Sequence, residues 1–244
     1  MISSLFHTIL YQPILNLLVV VYNYIPGHDL GVAIVVLTLV IRIILYPLTQ
    51  KSLASQKALQ NIQPKIKEIQ AKYKDDKQAQ AKELMAIYSK EKVSPFSSFW
   101  TLLIQLPILI ALYQVLIKGL GTAEITGLYS FIYNPGHLNS MSFGVLNLAN
   151  KNLILAVLSG IAQFIQSKMF IQQSPPKDVA SKPGAKDEVM TSMINKQMLY
   201  FMPAFTVFIG ASLPAGLTLY WFISTAFMAA QQYFFLRKNR HSTP

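Results

Sequence analysis

The sequence contains no cysteine among its 244 residues, so disulfide bonds, cysteine-ligated metals and thiol catalysis are excluded. Charged residues are also scarce, at 13%, against the ~25% that is usual for soluble domains. Hydrophobic residues make up 52% of the chain, and the mean hydropathy is +0.38. Few charges and many apolar side chains are typical of a protein that lies in a membrane.

Motifs that carry enzyme chemistry are missing as well. There is no G-x-x-x-x-G-K-[ST] phosphate loop and no H-E-x-x-H helix for zinc. The four histidines, His7, His28, His137 and His241, are scattered outside the apolar runs. The sequence therefore predicts neither a cofactor, nor a metal site, nor enzyme activity.

Positive charge is concentrated in certain connections between the apolar runs. The formal net charge is +11, and residues 51–95 hold ten lysines and no arginine, whereas residues 119–150 hold neither. Lysine and arginine accumulate in the cytoplasmic loops of membrane proteins. Topology therefore explains the charge without nucleic-acid specificity, and it predicts an external N-terminus and a cytoplasmic C-terminus.

Five apolar runs approach the ~20 residues that an α-helix needs to cross ~30 Å of hydrocarbon. The predicted fold is an all-α membrane protein with five transmembrane helices, an N-terminal interfacial amphipathic helix and a cytoplasmic antiparallel helical hairpin. The predicted segments are an external helix and linker (1–29), transmembrane helix 1 (30–49), the hairpin (50–96), transmembrane helix 2 (97–118), an external loop (119–150), transmembrane helix 3 (151–170), a cytoplasmic loop (171–196), transmembrane helices 4 (197–213) and 5 (215–235), and a cytoplasmic tail (236–244).

The first 25 residues allow two interpretations. Positions 9–25 could form a short sixth span. However, Ser4, Thr8, Gln12 and Asn16 recur every four residues and place polar groups on one side of a helix. That pattern favours a helix that lies on the outer surface of the membrane.

Apolar side chains in the 51–95 connection recur every three or four residues, which indicates two helices folded against each other. The first arm has Leu59, Ile62, Ile66, Ile69 and Tyr73, and the second has Ala81, Leu84 and Tyr88. Pro64 should kink the first arm, because a proline removes one backbone hydrogen bond. The hairpin could be purely structural, or it could touch nascent chains, lipid head groups or a ribosome.

Arg42 lies in the middle of the apolar run 35–50, and no Asp or Glu occurs within any predicted span. Nine residues, about 13 Å of helix, separate it from Lys51, so its side chain could reach part of the way to the cytoplasmic surface. An arginine that faced lipid would cost at least ~2.5–3.5 kcal/mol. The second interpretation is therefore a hydrophilic groove, open to the cytoplasm, whose ligand supplies polar or negative groups. Thr38, one turn away, extends the same face.

Several segments carry a family resemblance in their order and spacing. They are Thr38-x-x-x-Arg42 with YPLT (46–49), SPF (94–96), LIQLPILIALY (103–113), and LPAGLTLYW (213–221) with QQY (231–233). Together they resemble the YidC family of membrane protein insertases, within the YidC/Oxa/Alb superfamily. The resemblance extends over essentially the whole chain.

The resemblance implies five core helices around a groove that is closed to the outside. A member of this family receives hydrophobic segments of nascent membrane proteins in the groove and releases them into the lipid bilayer, without nucleotide hydrolysis. Arg42 would attract polar or acidic parts of the incoming segment. Other groove positions are matched by Thr38, Gln163 and Trp221. Gln105 is a further groove candidate, although a glutamine before Pro107 could instead satisfy backbone groups that the proline leaves free.

Partners and location also follow from the resemblance. Nascent membrane proteins and the lipid bilayer are the implied partners, with the ribosome and the Sec translocon as further candidates, in a bacterial cytoplasmic membrane that the chain crosses several times. Many members carry a large external domain, and this sequence is expected to represent a short form without it.

Two functions from other classes stay open. A small channel or transporter would conduct ions or solutes across the membrane of proteoliposomes. A structural assembly subunit would tolerate Arg42→Ala with unchanged client insertion.

Overall fold

The computed structural model describes residues 2–94, 97–120, 125–171 and 197–240. Three predicted features therefore lie partly or wholly outside the described residues. They are the segment Ser94-Pro95-Phe96 of the family resemblance, the cytoplasmic loop 171–196 and the end of the tail 236–244.

The described chain is predominantly helical, as predicted. In chain order the helices are α1 (Ile2–Phe6), a π-helix (His7–Tyr11), α2 (Gln12–Tyr24), α3 (Leu30–Ile44), α4 (Tyr46–Asn61), α5 (Gln63–Lys72), α6 (Lys77–Lys90), α7 (Ser97–Gly119), α8 (Leu153–Ile171), a second π-helix (Gln197–Phe201), α9 (Met202–Gly210) and α10 (Ala215–Arg240). Between α7 and α8, strand β1 (Met141–Ser142) pairs antiparallel with β2 (Leu146–Asn147).

Both π-helices end two residues before a proline, Pro13 in the first case and Pro203 in the second. A proline has no N–H for the carbonyl four residues earlier, and its ring crowds that carbonyl. In a π-turn the hydrogen bonds join residues five apart instead of four. One such turn before the proline lets the helix continue past it. The helix predicted over 197–213 therefore starts as a π-helix and ends at Gly210.

The predicted helix over 30–49 is not continuous. Helix α3 ends at Ile44, α4 begins at Tyr46, and the two axes differ by 61°. Pro47 lies in the first turn of α4 and cannot donate to the Ile43 carbonyl, so the straight helix is broken here. Helix α3 alone has 15 residues, about 22 Å.

The connection after α3 forms a helical hairpin with a small core of its own. Ile62, Ile66 and Val93 are buried there, with Ala58, Leu59, Leu84 and Tyr88 packed around them. Helices α5 and α6 contact each other, and α4 and α5 are separate helices that meet at Ile62, just before Pro64. Asp76 caps α6, because its carboxylate accepts from the N–H groups of Gln78 and Ala79.

The remaining helices form a bundle in which α10 packs against α8 and α3, and α8 packs against α9. We call the end that holds residues 125–150 the loop end, and the end from which α4 leaves the hairpin end. Small residues allow close packing, since a Cβ on Gly160 would lie 3.1 Å from the Pro203 carbonyl oxygen. The large apolar core occupies the loop end, with members from α2, the first half of α3, the second half of α7 and the start of α10.

Helix α2 uses its polar side chains to bind the loop between α7 and α8. The Asn16 side chain donates to the Gly127 carbonyl at 3.2 Å and accepts from the Tyr129 N–H at 2.7 Å. Gln12 also donates to Gly127, and the Tyr22 hydroxyl accepts from the Asn139 N–H at 3.0 Å. Asn16 is buried. Gln12 and Asn16 of the four-residue polar repeat therefore face the loop. The repeat is not exposed to water along the whole helix.

Exposed apolar side chains form stripes on the outside of the bundle. Helix α7 exposes Leu106, Ile110, Tyr113 and Ile117, and α8 exposes Ile154, Leu158, Ile161 and Ile165. Their spacing of three or four residues puts each set on one face of its helix. Apolar surface of this extent is rare on a soluble monomer, and it is suited to contact with lipid.

Length and composition alone identify few spans. Within the described residues, Ser4–Tyr24 is the one helix that is long and apolar enough to cross a membrane. Helices Leu30–Ile44 and Tyr46–Asn61 meet the same criterion only when the bent pair is counted together as one span. Gln105–Gly119, Leu153–Met169 and Leu199–Gly210 are shorter apolar helices. Helix α10 is 26 residues long, but polar side chains that it buries against its neighbours lower its hydropathy.

Candidate functional site

Arg42 is buried between three helices, with only 3% of its surface exposed. Its Nε donates to the Ser224 hydroxyl at 2.8 Å, and its Nη2 donates to the Gln105 side-chain oxygen at 2.8 Å and also contacts Ser224. The Gln105 amide nitrogen in turn donates to the Tyr220 hydroxyl at 2.6 Å. We call Arg42, Gln105, Tyr220 and Ser224 the Arg42 cluster.

Helices α3, α7 and α10 each contribute to this cluster. Arg42 lies in the last turn of α3, where the partial negative charge of the helix C-terminus favours a cation. Tyr220 and Ser224 are four residues apart on α10, so they lie one above the other on the same face. The cluster sits where the apolar core ends, because Tyr220 is itself the last member of that core along α10.

The hydrogen-bond partners of the Arg42 guanidinium are all neutral. Among the residues that the structure describes, no carboxylate forms an ion pair with it. A guanidinium has five N–H donors, and its Nη1 group has no hydrogen-bond partner in the described part of the chain. The positive charge is therefore hydrogen-bonded but not neutralised, which is an expensive arrangement for a buried ion.

Gln105 is the accessible member of the cluster. Its side chain is partly buried, whereas Arg42, Tyr220 and Ser224 are almost fully enclosed. The amide bonds to Arg42 and Tyr220 and not to the backbone near Pro107, which is the alternative role that the sequence allows. Gln105 thus lies between Arg42 and the surroundings.

The other predicted groove residues do not join the cluster. Thr38 has no exposed surface, and its hydroxyl donates to the Ile34 carbonyl of its own helix at 2.6 Å. Gln163 on α8 and Trp221 on α10 are partly buried, and neither side chain makes a hydrogen bond with any residue that the structure describes. The structure therefore brings together Arg42 and Gln105 of the predicted set.

Sequence reasoning missed Tyr220 and Ser224 as partners of Arg42. A signal was present, because both are polar, four residues apart, in a helix with many apolar residues. What the sequence lacks is the rotation of α10 relative to α3. Only the packing of the two helices shows that this face, and not that of Trp221, meets the guanidinium.

A second polar layer lies closer to the hairpin end. Gln231 donates to the Tyr46 carbonyl at 3.2 Å, and Gln232 donates to the Gln166 carbonyl at 3.5 Å. Both side-chain oxygens are buried without a hydrogen-bond partner in the described structure. An unpaired buried acceptor costs ~1–3 kcal/mol. The interior at the hairpin end is therefore polar and incompletely satisfied, in contrast to the apolar core at the loop end.

Comparison with known proteins relates the chain to a protein family. A family model described as "60Kd inner membrane protein" matches residues 20–242. The membrane protein insertase YidC of Francisella tularensis subsp. novicida (strain U112) is 31% identical over 207 residues, which cover 85% of this chain and 32% of that protein. The same values hold for the proteins of that name from subsp. tularensis (strain SCHU S4 / Schu 4) and subsp. holarctica (strain LVS). The chain spans about a third of the length of these curated relatives.

Proposed function

Because this chain belongs to the family of the 60Kd inner membrane protein, which is that of the YidC membrane protein insertases, we propose that it is itself an insertase. It receives hydrophobic segments of nascent membrane proteins in a hydrophilic groove and releases them into the lipid bilayer. Partitioning and electrostatics drive the transfer, and no nucleotide is hydrolysed.

The proposed topology places the hairpin end in the cytoplasm and the loop end outside. The ten lysines of residues 51–95 favour this orientation, as does the lack of Lys and Arg in residues 119–150. Helix α3 with the start of α4, together with α7, α8, the helix ending at Gly210, and α10, supplies five crossings of a bacterial cytoplasmic membrane. The apolar stripes on α7 and α8 face lipid.

The N-terminal helix lies on the outer surface in this proposal. The loop between α7 and α8 binds α2 from Gln12 to Asn23, whose side chain donates to the Tyr133 carbonyl at 2.8 Å. If that loop is outside the membrane, the second half of the 4–24 helix cannot run through the hydrocarbon to the other side.

The observation that carries the proposal is a buried arginine whose described partners are all neutral. A carboxylate from a client segment would supply the missing negative charge. Hydrogen bonds between a guanidinium and a carboxylate are charge-assisted and can be bidentate. The site therefore favours the entry of an acidic or polar segment, which shortens the hydrocarbon path that this segment must cross.

Other residues are proposed to line the path of the client. Gln163 and Trp221 are partly buried and have no hydrogen-bond partner in the described structure, so they are available to an incoming chain. Thr38 extends the polar face of α3 outward from Arg42, and Gln231 and Gln232 offer unused acceptors on the cytoplasmic side.

A ribosome or a Sec translocon would meet the protein at the lysine-rich hairpin.

The loop end supports an insertase over a channel. A continuous pore needs a polar path to both sides, but large apolar side chains fill the interior here, including Leu37, Leu112 and Leu116. A groove closed to the outside is consistent with this packing.

The test is insertion of a small client with an acidic external segment into vesicles that contain only this protein and lipid. Arg42→Ala should reduce insertion about tenfold or more, since a hydrogen bond to a charged group contributes ~1.5–3 kcal/mol. Arg42→Lys should retain much of the activity, because it keeps the charge. Lys168→Ala, which removes an exposed charge at the end of α8, is the matched control. Equal insertion by wild type and Arg42→Ala would contradict the proposal.

A further inference from the structure

The Gln105 amide occupies a position on Arg42 that a client would need. Its oxygen accepts from Nη2 of the guanidinium at 2.8 Å, and Ser224 contacts Nε and Nη2, which leaves only Nη1 without a described partner. A carboxylate could form a single bond to Nη1, but a bidentate pair also needs Nη2 and cannot form until one of these neutral groups moves. Ser224 is fully enclosed on α10, whereas Gln105 is partly exposed. Gln105 is therefore the group that can be displaced.

From this geometry we propose that Gln105 is a stand-in for the client carboxylate and makes the site selective for acidic over neutral polar segments. The inference rests on the proposed insertase function and deepens it. In the client-free state the amide oxygen accepts from Nη2 of the guanidinium. When a client arrives, its carboxylate replaces the amide oxygen at Nη2, and the oxygen end of the Gln105 amide turns away.

The selectivity follows from the strengths of the competing bonds. A carboxylate on a guanidinium forms bonds roughly twice as strong as those of a neutral amide, and it can form two in parallel. An incoming hydroxyl or amide forms bonds no stronger than those of Gln105, so it gains nothing by exchange. Gln105 therefore sets a threshold that an acidic segment passes and a neutral one does not.

Tyr220 makes this exchange reversible. Its hydroxyl accepts from the Gln105 amide nitrogen at 2.6 Å, and it is buried in the core at the loop end. The bond holds one end of the amide in place when the other end loses Arg42. Gln105 can then return to the guanidinium after the client leaves for lipid.

The experiment measures insertion of two clients that differ only in acidic residues replaced by their amides. Gln105→Met keeps the length of the side chain and removes the competing amide. It should increase insertion of the neutral client relative to the acidic client about threefold or more, so that the ratio between the two clients falls. Gln105→Glu places a permanent carboxylate beside Arg42 and should reduce insertion of the acidic client about tenfold. Gln114→Met, on the same helix, is the matched control and should change neither value.

The outcomes separate this inference from the proposed function. If Arg42→Ala abolishes insertion but Gln105→Met and Gln105→Glu both insert the two clients in the wild-type ratio, the stand-in role is wrong and the insertase role survives. The stand-in role is also wrong if Gln105→Met loses the acidic client as Arg42→Ala does, because the amide itself would then be required. If Arg42→Ala inserts normally, both fail. The client ratio is read within each variant, so a lower amount of folded protein does not change it.

Discussion

Helix α3 carries a charged side chain near each end, and the two charges are held in different ways. Asp29 precedes the first turn, and its carboxylate accepts from the N–H groups of Val32 and Phe143 and from the Ser142 hydroxyl. Arg42, in the last turn, donates only to the side chains of Gln105 and Ser224. Both charges suit the helix dipole, since the acid is at the N-terminus and the base at the C-terminus.

The difference lies in what would have to move to free each charge. Two of the donors to Asp29 are backbone groups, one in α3 itself and one in the turn between β1 and β2. Phe143 in that turn has a φ of 51°, which is unusual for a bulky residue. Its N–H donates to the Asp29 carboxylate. Arg42 is held by side chains, which can rotate away without unfolding a strand or a helix. The β1–β2 turn at the loop end is thus attached through backbone groups, whereas the described groups that bond to Arg42 are all side chains.

The largest stability effect should come from Asp29→Ala. This change removes a helix cap worth ~1 kcal/mol and charge-assisted bonds that attach the β1–β2 turn, so we expect a loss of about 2–4 kcal/mol in the free energy of unfolding. Denaturant titration in detergent micelles measures it. Asp76→Ala is the matched control, because Asp76 caps α6 but bonds only within its own helix. Equal losses for the two variants would show that the attachment to the turn contributes nothing.

A smaller effect is expected from Gly31→Ala, which tests how closely the turn is held to α3. A Cβ on Gly31 would overlap the Ser142 hydroxyl and lie 2.9 Å from its Cβ, so the turn must shift away from Asp29. Overpacking of this kind costs about 1–3 kcal/mol. Gly216→Ala is the control, since its Cβ would meet the flexible ends of Ile34 and Leu116 at 3.3 Å. The same titration should show a smaller loss for Gly216→Ala, and the reverse order would contradict a close attachment of the β1–β2 turn to α3.

The sequence predicts the helices well where hydrophobic pattern and length agree. The helix expected over 97–118 lies at Ser97–Gly119, and that expected over 151–170 lies at Leu153–Ile171. The bend at Leu45 was missed, because the apolar run continues through Tyr46-Pro47 and periodicity does not show where a proline turns a helix. The polar side chains of α2 predict a helix on the outer surface of the membrane, but the sequence does not show that a loop more than 100 residues away covers Asn16.

For the site, the sequence identifies the charge but not its surroundings. Arg42 stands out because an isolated basic residue in an apolar run needs an explanation. Its neutral partners come from α7 and α10, 63 and 182 residues away, and only the packing of the helices brings them together. Thr38 shares the face of Arg42 in sequence terms, but its hydroxyl is used within α3. The roles of Gln163 and Trp221 stay predictions.

The smallest expected effect is a pH dependence that is specific to the loop end. Burial alone would raise the pKa of the Asp29 carboxyl, but hydrogen bonds from Phe143, Ser142 and Val32 outweigh it and hold the pKa below its ordinary value. A lowered pKa in the folded state means that the stabilisation is complete above the unfolded pKa of about 4 and is lost as the pH falls through the folded pKa. The difference in unfolding free energy between wild type and Asp29→Asn should therefore be constant above about pH 5 and shrink as the pH falls from there to about pH 3. A difference that stays constant from about pH 5 to about pH 3 would mean that the charge of Asp29 does not help to attach the β1–β2 turn.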